Sequence, residues 1–132
     1  MLIAIPEWNN RISPVFDEAL YFKLFRIEAD SVMERSELEL PVQAIEHQLE
    51  HLQKAGVNIL ICGAISRYLQ RQAEMNGILV IPFIAGDVES VVKDWLSGNW
   101  QDAHYRMPGC GGRNRYRRNR FKNSRKNSYP RR

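Results

Sequence analysis

Within five residues, Cys62-Gly63-Ala64-Ile65-Ser66 sets a thiol, a glycine and a hydroxyl side by side. A thiolate is a soft ligand for iron or copper. A glycine lets backbone N–H groups approach an anion closely. Ser66 opens a helical pattern, and a helix start favours negative charge and lowers the pKa of a nearby thiol. The plain alternatives are a small buried residue at Cys62 and a tight turn at Gly63. Cys110, in Pro108-Gly109-Cys110-Gly111-Gly112, is either a second soft ligand or an incidental thiol. His47, Glu50 and His51 form H-Q-L-E-H, the inverted zinc-peptidase spacing. On a continuous helix both imidazoles share one face, opposite Val42, Ile45, Leu49 and Leu52, and read as a solvated face. Glu7, Asp17 and Asp87 are carboxylates of the kind that hold metals in nucleases, but their spread argues against two-metal hydrolysis.

These groups need elements to position them. Val57–Cys62 is an apolar run with β-branched residues after Gly56, the pattern of a strand buried on both faces. Leu2–Ile5 predicts a short first strand stopped by Pro6, and Asn9-Asn10 a turn. Tyr21–Glu28 and Val32–Leu40 alternate apolar with polar residues and predict an antiparallel hairpin, the second and more polar strand at a sheet edge. Residues 41–55 predict an amphipathic helix, with Pro41 in its first turn and Gly56 as its stop. Residues 66–76 predict a second helix capped by Ser66, with Tyr68, Leu69 and Ala73 inward. Ile78–Ile84 predicts a buried strand. Asp87 caps a third helix with Val88, Val91, Val92, Trp95 and Leu96 inward. The alternating later elements imply parallel strands with right-handed crossovers. The outcome is an α/β domain with a five-stranded mixed sheet and helices on its faces. Its carboxyl edge gathers the loops at 7–17, 63–66 and 86–87, where open α/β sheets bind ligands.

The charge is divided. Residues 1–105 carry 15 acidic and eight basic residues, a net of −7, while residues 106–132 carry 11 basic residues and no acid. We read residues 1–105 as one binding domain and residues 106–132 as an Arg-rich tail that is disordered alone. Tyr116, Phe121 and Tyr129 interleave with arginines there, a composition suited to nucleic acid. An acidic partner, the acidic head or an anionic cargo are rival targets. No apolar run reaches membrane-span length, so no membrane contact is expected. The N-terminal residues lack a signal-peptide pattern. Two cysteines make no disulfide framework, so a cytoplasmic setting is expected.

Ile12-Ser13-Pro14-Val15-Phe16-Asp17-Glu18-Ala19, directly after a short first strand, resembles a signature of the dinitrogenase iron–molybdenum cofactor family. That family includes NifX-like proteins and the C-terminal domain of NifB-like proteins. Ile61-Cys62-Gly63-Ala64-Ile65 and Gly86-Asp87-Val88-Glu89 match two further family segments in order, so the resemblance covers about residues 1–100. It implies a ribonuclease H-like three-layer α/β/α fold without nuclease activity. It also implies a non-catalytic carrier or chaperone for an anionic metal–sulfur cluster, of the Fe–S or Fe–Mo–S type, working with a cofactor-assembly protein. On this reading the cluster lies against Ser13, Phe16, Cys62, Gly63, Ala64, Ile65, Ser66 and Gly86, with Cys62 and Cys110 as soft ligands.

Overall fold

A computed structural model of the chain describes residues 1–98 and Met107. The tail, Cys110 and the boundary expected at residue 105 lie outside the described residues. Six strands and three α-helices follow in the order β1 (Leu2–Trp8), β2 (Arg11–Ile12), β3 (Tyr21–Glu28), β4 (Ser31–Glu39), α1 (Gln48–Lys54), β5 (Ile59–Ile61), α2 (Arg67–Met75), β6 (Leu79–Ile81) and α3 (Val88–Ser97). Five strands lie in the order β4-β3-β1-β5-β6, and β2 pairs with β1. β1, β3 and β4 are antiparallel neighbours, whereas β5 runs parallel to both β1 and β6.

Alternation along the strands divides the core. Ala4, Phe22, Leu24, Leu60 and Val80 point to the face covered by Leu49 and Leu52 of α1 and Ala73 of α2. Ile3, Ile5, Phe25, Ile59 and Ile81 point to the opposite face, covered by Val88, Val91 and Val92 of α3. The sheet is thus the middle of three layers. β4 is one edge strand of the sheet, mostly exposed, and its charged side chains discourage pairing with another chain. Its Arg35 reaches Glu89 of α3 at 3.0 Å.

The sheet has six strands rather than the expected five. Asn9 and Asn10 both take positive φ, 54° and 65°, in a two-residue turn that returns the chain so that Trp8 pairs with Arg11. Pro6 does not stop β1: it pairs with Phe22, and its carbonyl accepts the Ser13 N–H at 2.8 Å. The helix expected over 41–55 is broken. Val42–Ala44 is a 3-10 turn, His47 leaves helical geometry at φ −134° and ψ 23°, and α1 begins at Gln48. Gln48 explains the shift. Its carboxamide is 1% exposed and donates to the Asp17 carbonyl at 2.9 Å, with longer contacts to Phe16 and Ala19 carbonyls. Burying this side chain turns Val42 outward. In α2, Tyr68 is exposed rather than inward, while Leu69 and Ala73 face the core. Among the described residues no helix is long and apolar enough to cross a membrane.

Candidate functional site

The three expected loops meet at the carboxyl edge of β1, β5 and β6, and main-chain hydrogen bonds stitch them together. Ala64 donates to the Pro14 carbonyl and its own carbonyl accepts from Phe16, both at 2.8 Å, so Val15 and Ala64 form a parallel bridge. On the other side Ile12 donates to Gly86 at 2.9 Å and Val88 donates to Asn10 at 3.0 Å. Beyond β6, Phe83 donates to the Gly63 carbonyl at 2.9 Å and Ile84 donates to the Cys62 carbonyl at 3.0 Å. Met107 returns to this edge and donates to the Phe83 carbonyl at 2.9 Å.

Gly63 sits at the tightest point. A Cβ there would lie 2.5 Å from the Pro14 carbonyl oxygen and 2.8 Å from that of Ser13. These are backbone atoms, and the Pro14 carbonyl is itself held by the Ala64 N–H, so they have little room to retreat. Glycine is required here for the close passage of two loops. Gly86, at φ 138°, supplies the other glycine of the edge.

Each of the three carboxylates accepts a backbone N–H. Asp17 accepts the Ser66 N–H at 2.9 Å, across 49 residues, and so serves the start of α2 together with the Ser66 hydroxyl, which accepts from Leu69 at 3.2 Å. Asp87 caps α3 by accepting the Ser90 N–H at 2.9 Å. Glu7, nearly buried, accepts the Asn10 N–H and closes the β1–β2 turn. Each anion is thereby offset by oriented amide dipoles. Within Gly63–Ser66, the Ala64 and Ser66 amides are thus engaged by Pro14 and Asp17.

The other sequence-derived residues fall in two settings. Phe16 is fully buried, its ring 5.9 Å from that of Phe22, and Ile65 is also in the core. Ser13 and Ala64 are half-buried, and Ser66 is exposed. Cys62 is fully buried among apolar residues. Burial pushes its thiol pKa far up, and the Asp17 carboxylate adds to the shift. This reverses the lowering expected from the nearby helix start, chiefly because the thiol is buried, with Asp17 at that start adding to the effect. His47 is the N-cap of α1 and not within the helix as expected, and its ring approaches Glu50 at 3.7 Å. Among the described residues, no group of three or more His, Cys, Asp or Glu side chains is placed to hold a metal ion. Gln48 and the Asp17–Ser66 contact were missed by sequence reasoning, since neither partner is near in the chain. A groove of about 580 Å³ lies elsewhere, between β4 and α3, and includes Arg35, Glu89 and Lys93 in its lining.

Comparison with known proteins matches the family described as dinitrogenase iron–molybdenum cofactor over residues 1–98. Among solved structures, PH0822 superposes with a TM-score of 0.71 at 24% identity, covering 74% of this chain and 90% of that one. The protein mj0327 of Methanocaldococcus jannaschii, provisionally assigned as a dinitrogenase, gives 0.63 at 22% identity, covering 75% and 90%. TM1290 of Thermotoga, provisionally assigned as a NifB protein, gives 0.58 at 20% identity, covering 74% and 89%. No curated protein matches the chain.

Two outcomes follow from this geometry. Gly63→Ala should destabilise the fold by about 2–3 kcal/mol in urea unfolding, because the new methyl meets fixed carbonyls. The folded pKa of Cys62 exceeds its unfolded value, so its contribution to stability is full below about pH 9 and is lost as pH rises above that. Above that pH, wild-type stability should therefore fall more steeply than that of Cys62→Ala, by up to about 1.4 kcal/mol per pH unit. Parallel pH profiles for the two proteins would refute the assignment.

Proposed function

The chain belongs to the dinitrogenase iron–molybdenum cofactor family, and from that premise we propose that it is a non-catalytic carrier of an anionic metal–sulfur cluster or cluster precursor. The observation that carries this reading is the family match over residues 1–98, nearly all of the described chain. The strand order β4-β3-β1-β5-β6, with helices on both faces, supports the ribonuclease H-like description. The engagement of Glu7, Asp17 and Asp87 by backbone amides supports a binding role over a nuclease-like one. A cytoplasmic setting and a cofactor-assembly partner accompany the proposal.

The cargo would rest at the carboxyl edge against Ser13, Gly63–Ser66 and Gly86. These loops are bonded to one another by main-chain hydrogen bonds before any ligand arrives, which reduces the ordering cost of binding. Cys62 would have to lose its proton inside the core in order to ligate. The soft-ligand role therefore falls to Cys110, which follows Met107 by three residues.

The protein purified without oxygen should contain iron or molybdenum, or take up tetrathiomolybdate, as read by metal analysis and visible absorption. Cys110→Ala should weaken that uptake about tenfold, the scale of one lost soft ligand, and Cys62→Ala should leave it unchanged. Metal-free protein that also fails to take up tetrathiomolybdate or an iron–sulfur precursor would sink the reading.

The composition of residues 106–132 favours a second reading, an interaction module whose tail binds nucleic acid or an acidic partner. RNA binding should then weaken steeply between low and physiological salt and vanish on deletion after Tyr105. Salt-insensitive or tail-independent binding would count against it.

A further inference from the structure

We propose that Gln48 is a positioning residue for the cargo-binding edge, an inference that rests on the carrier reading. Its side chain is buried, and its carboxamide nitrogen donates to the Asp17 carbonyl at 2.9 Å, with the Phe16 and Ala19 carbonyls at 3.4 Å. All three carbonyls belong to the 3-10 turn Phe16–Glu18 and the residue that closes it, Ala19. So short a turn pairs few of its own carbonyls, and a buried carbonyl left unpaired is costly. Gln48 therefore supplies, from the first residue of α1, a donor that this turn needs. On its other side the turn is tied to the edge. The Phe16 N–H donates to the Ala64 carbonyl at 2.8 Å, and the Asp17 carboxylate accepts the Ser66 N–H at 2.9 Å. A continuous route of hydrogen bonds thus runs from Gln48 through the turn to Ala64 and Ser66, two residues against which the cargo would rest.

The way α1 begins points to the same role. α2 and α3 take side-chain caps from Ser66 and Asp87, whereas His47 gives α1 none, and Val42 is left 74% exposed. An earlier start would have turned the Val42 stripe inward. Both local preferences give way so that one carboxamide enters the core beside the turn, a departure from local rules of the kind that accompanies function. No proton or electron moves. Gln48 holds the loop in its binding geometry and so lowers the ordering cost when cargo arrives.

The test uses full-length protein without oxygen, titrated with tetrathiomolybdate well below every Tm. Gln48→Met, of similar length but without a donor, should weaken uptake about tenfold, the scale of losing a group that orients a binding residue. Its Tm should fall by about 5–10 °C. Ile27→Val is the control for stability alone. Ile27 is buried at the opposite end of the sheet, where its N–H meets the Met1 carbonyl. That variant should lower Tm by a similar amount, about 5–10 °C, and leave uptake unchanged. A second measurement needs no variant, and it decides the matter if Gln48→Met does not fold. Coupling is reciprocal, so bound tetrathiomolybdate should slow solvent exchange of the wild-type Gln48 carboxamide protons about tenfold, as read by NMR. Unchanged or stronger uptake by Gln48→Met, an equal loss in Ile27→Val, or carboxamide exchange indifferent to tetrathiomolybdate overturns the inference and leaves the carrier reading intact. Wild-type protein that takes up no tetrathiomolybdate overturns the carrier reading, and this role with it.

Discussion

The passage of the Ser13–Pro14 backbone over Gly63 is the constraint on which the rest of the carboxyl edge depends. With Pro14 and Ser13 carbonyls 2.5 and 2.8 Å from where a Cβ would stand, only a residue without a side chain lets the two loops touch. That contact permits the paired bonds of Ala64 with Pro14 and Phe16. It also brings Asp17 within reach of Ser66, and so fixes the start of α2. The Gly63 carbonyl in turn receives Phe83, which draws the turn after β6 and the returning Met107 into the same assembly.

Electrostatics follow from this arrangement. The domain is acidic, yet the three carboxylates nearest the edge face backbone amides and do not form one anionic cluster. Asp17 answers the positive end of α2 from within the chain, and the same carboxylate disfavours a thiolate at Cys62. A single charged side chain thus stabilises a helix start and adds to the burial that disfavours a thiolate at Cys62. Those two effects oppose the simple expectation that a cysteine before a helix is reactive.

What could be read in advance depended on the range of the interaction. A buried strand within Val57–Cys62, the caps Ser66 and Asp87, and the polar edge strand are local patterns, and the structure shows each of them, the strand shortened to Ile59–Ile61. The misread segments were decided by distant partners. Gln48 looks like a surface residue until it meets the carbonyls of Asp17 and its neighbours, and that contact breaks the helix that Val42 and Ile45 seemed to begin. Pro6 looks like a stop, but at that point in the ladder a carbonyl is enough. Asn9-Asn10 signalled a turn, and only the left-handed geometry of both residues shows that it closes a hairpin with its own short strand. At the edge itself, the meeting of three loops was legible from element order, whereas the engagement of the Ser66 amide by Asp17 was not.

The stitching of these loops has a consequence for how the sequence can vary. Bonds such as Ile12 to Gly86, Val88 to Asn10 and Ala64 to Pro14 use main-chain atoms that almost every residue type provides. Mutations at those positions can change the chemistry of the edge while its backbone course is retained, with Gly63 the steric exception. An architecture shared at 20–24% identity is what such a scaffold allows. It is a frame in which the lining can be exchanged and the geometry kept.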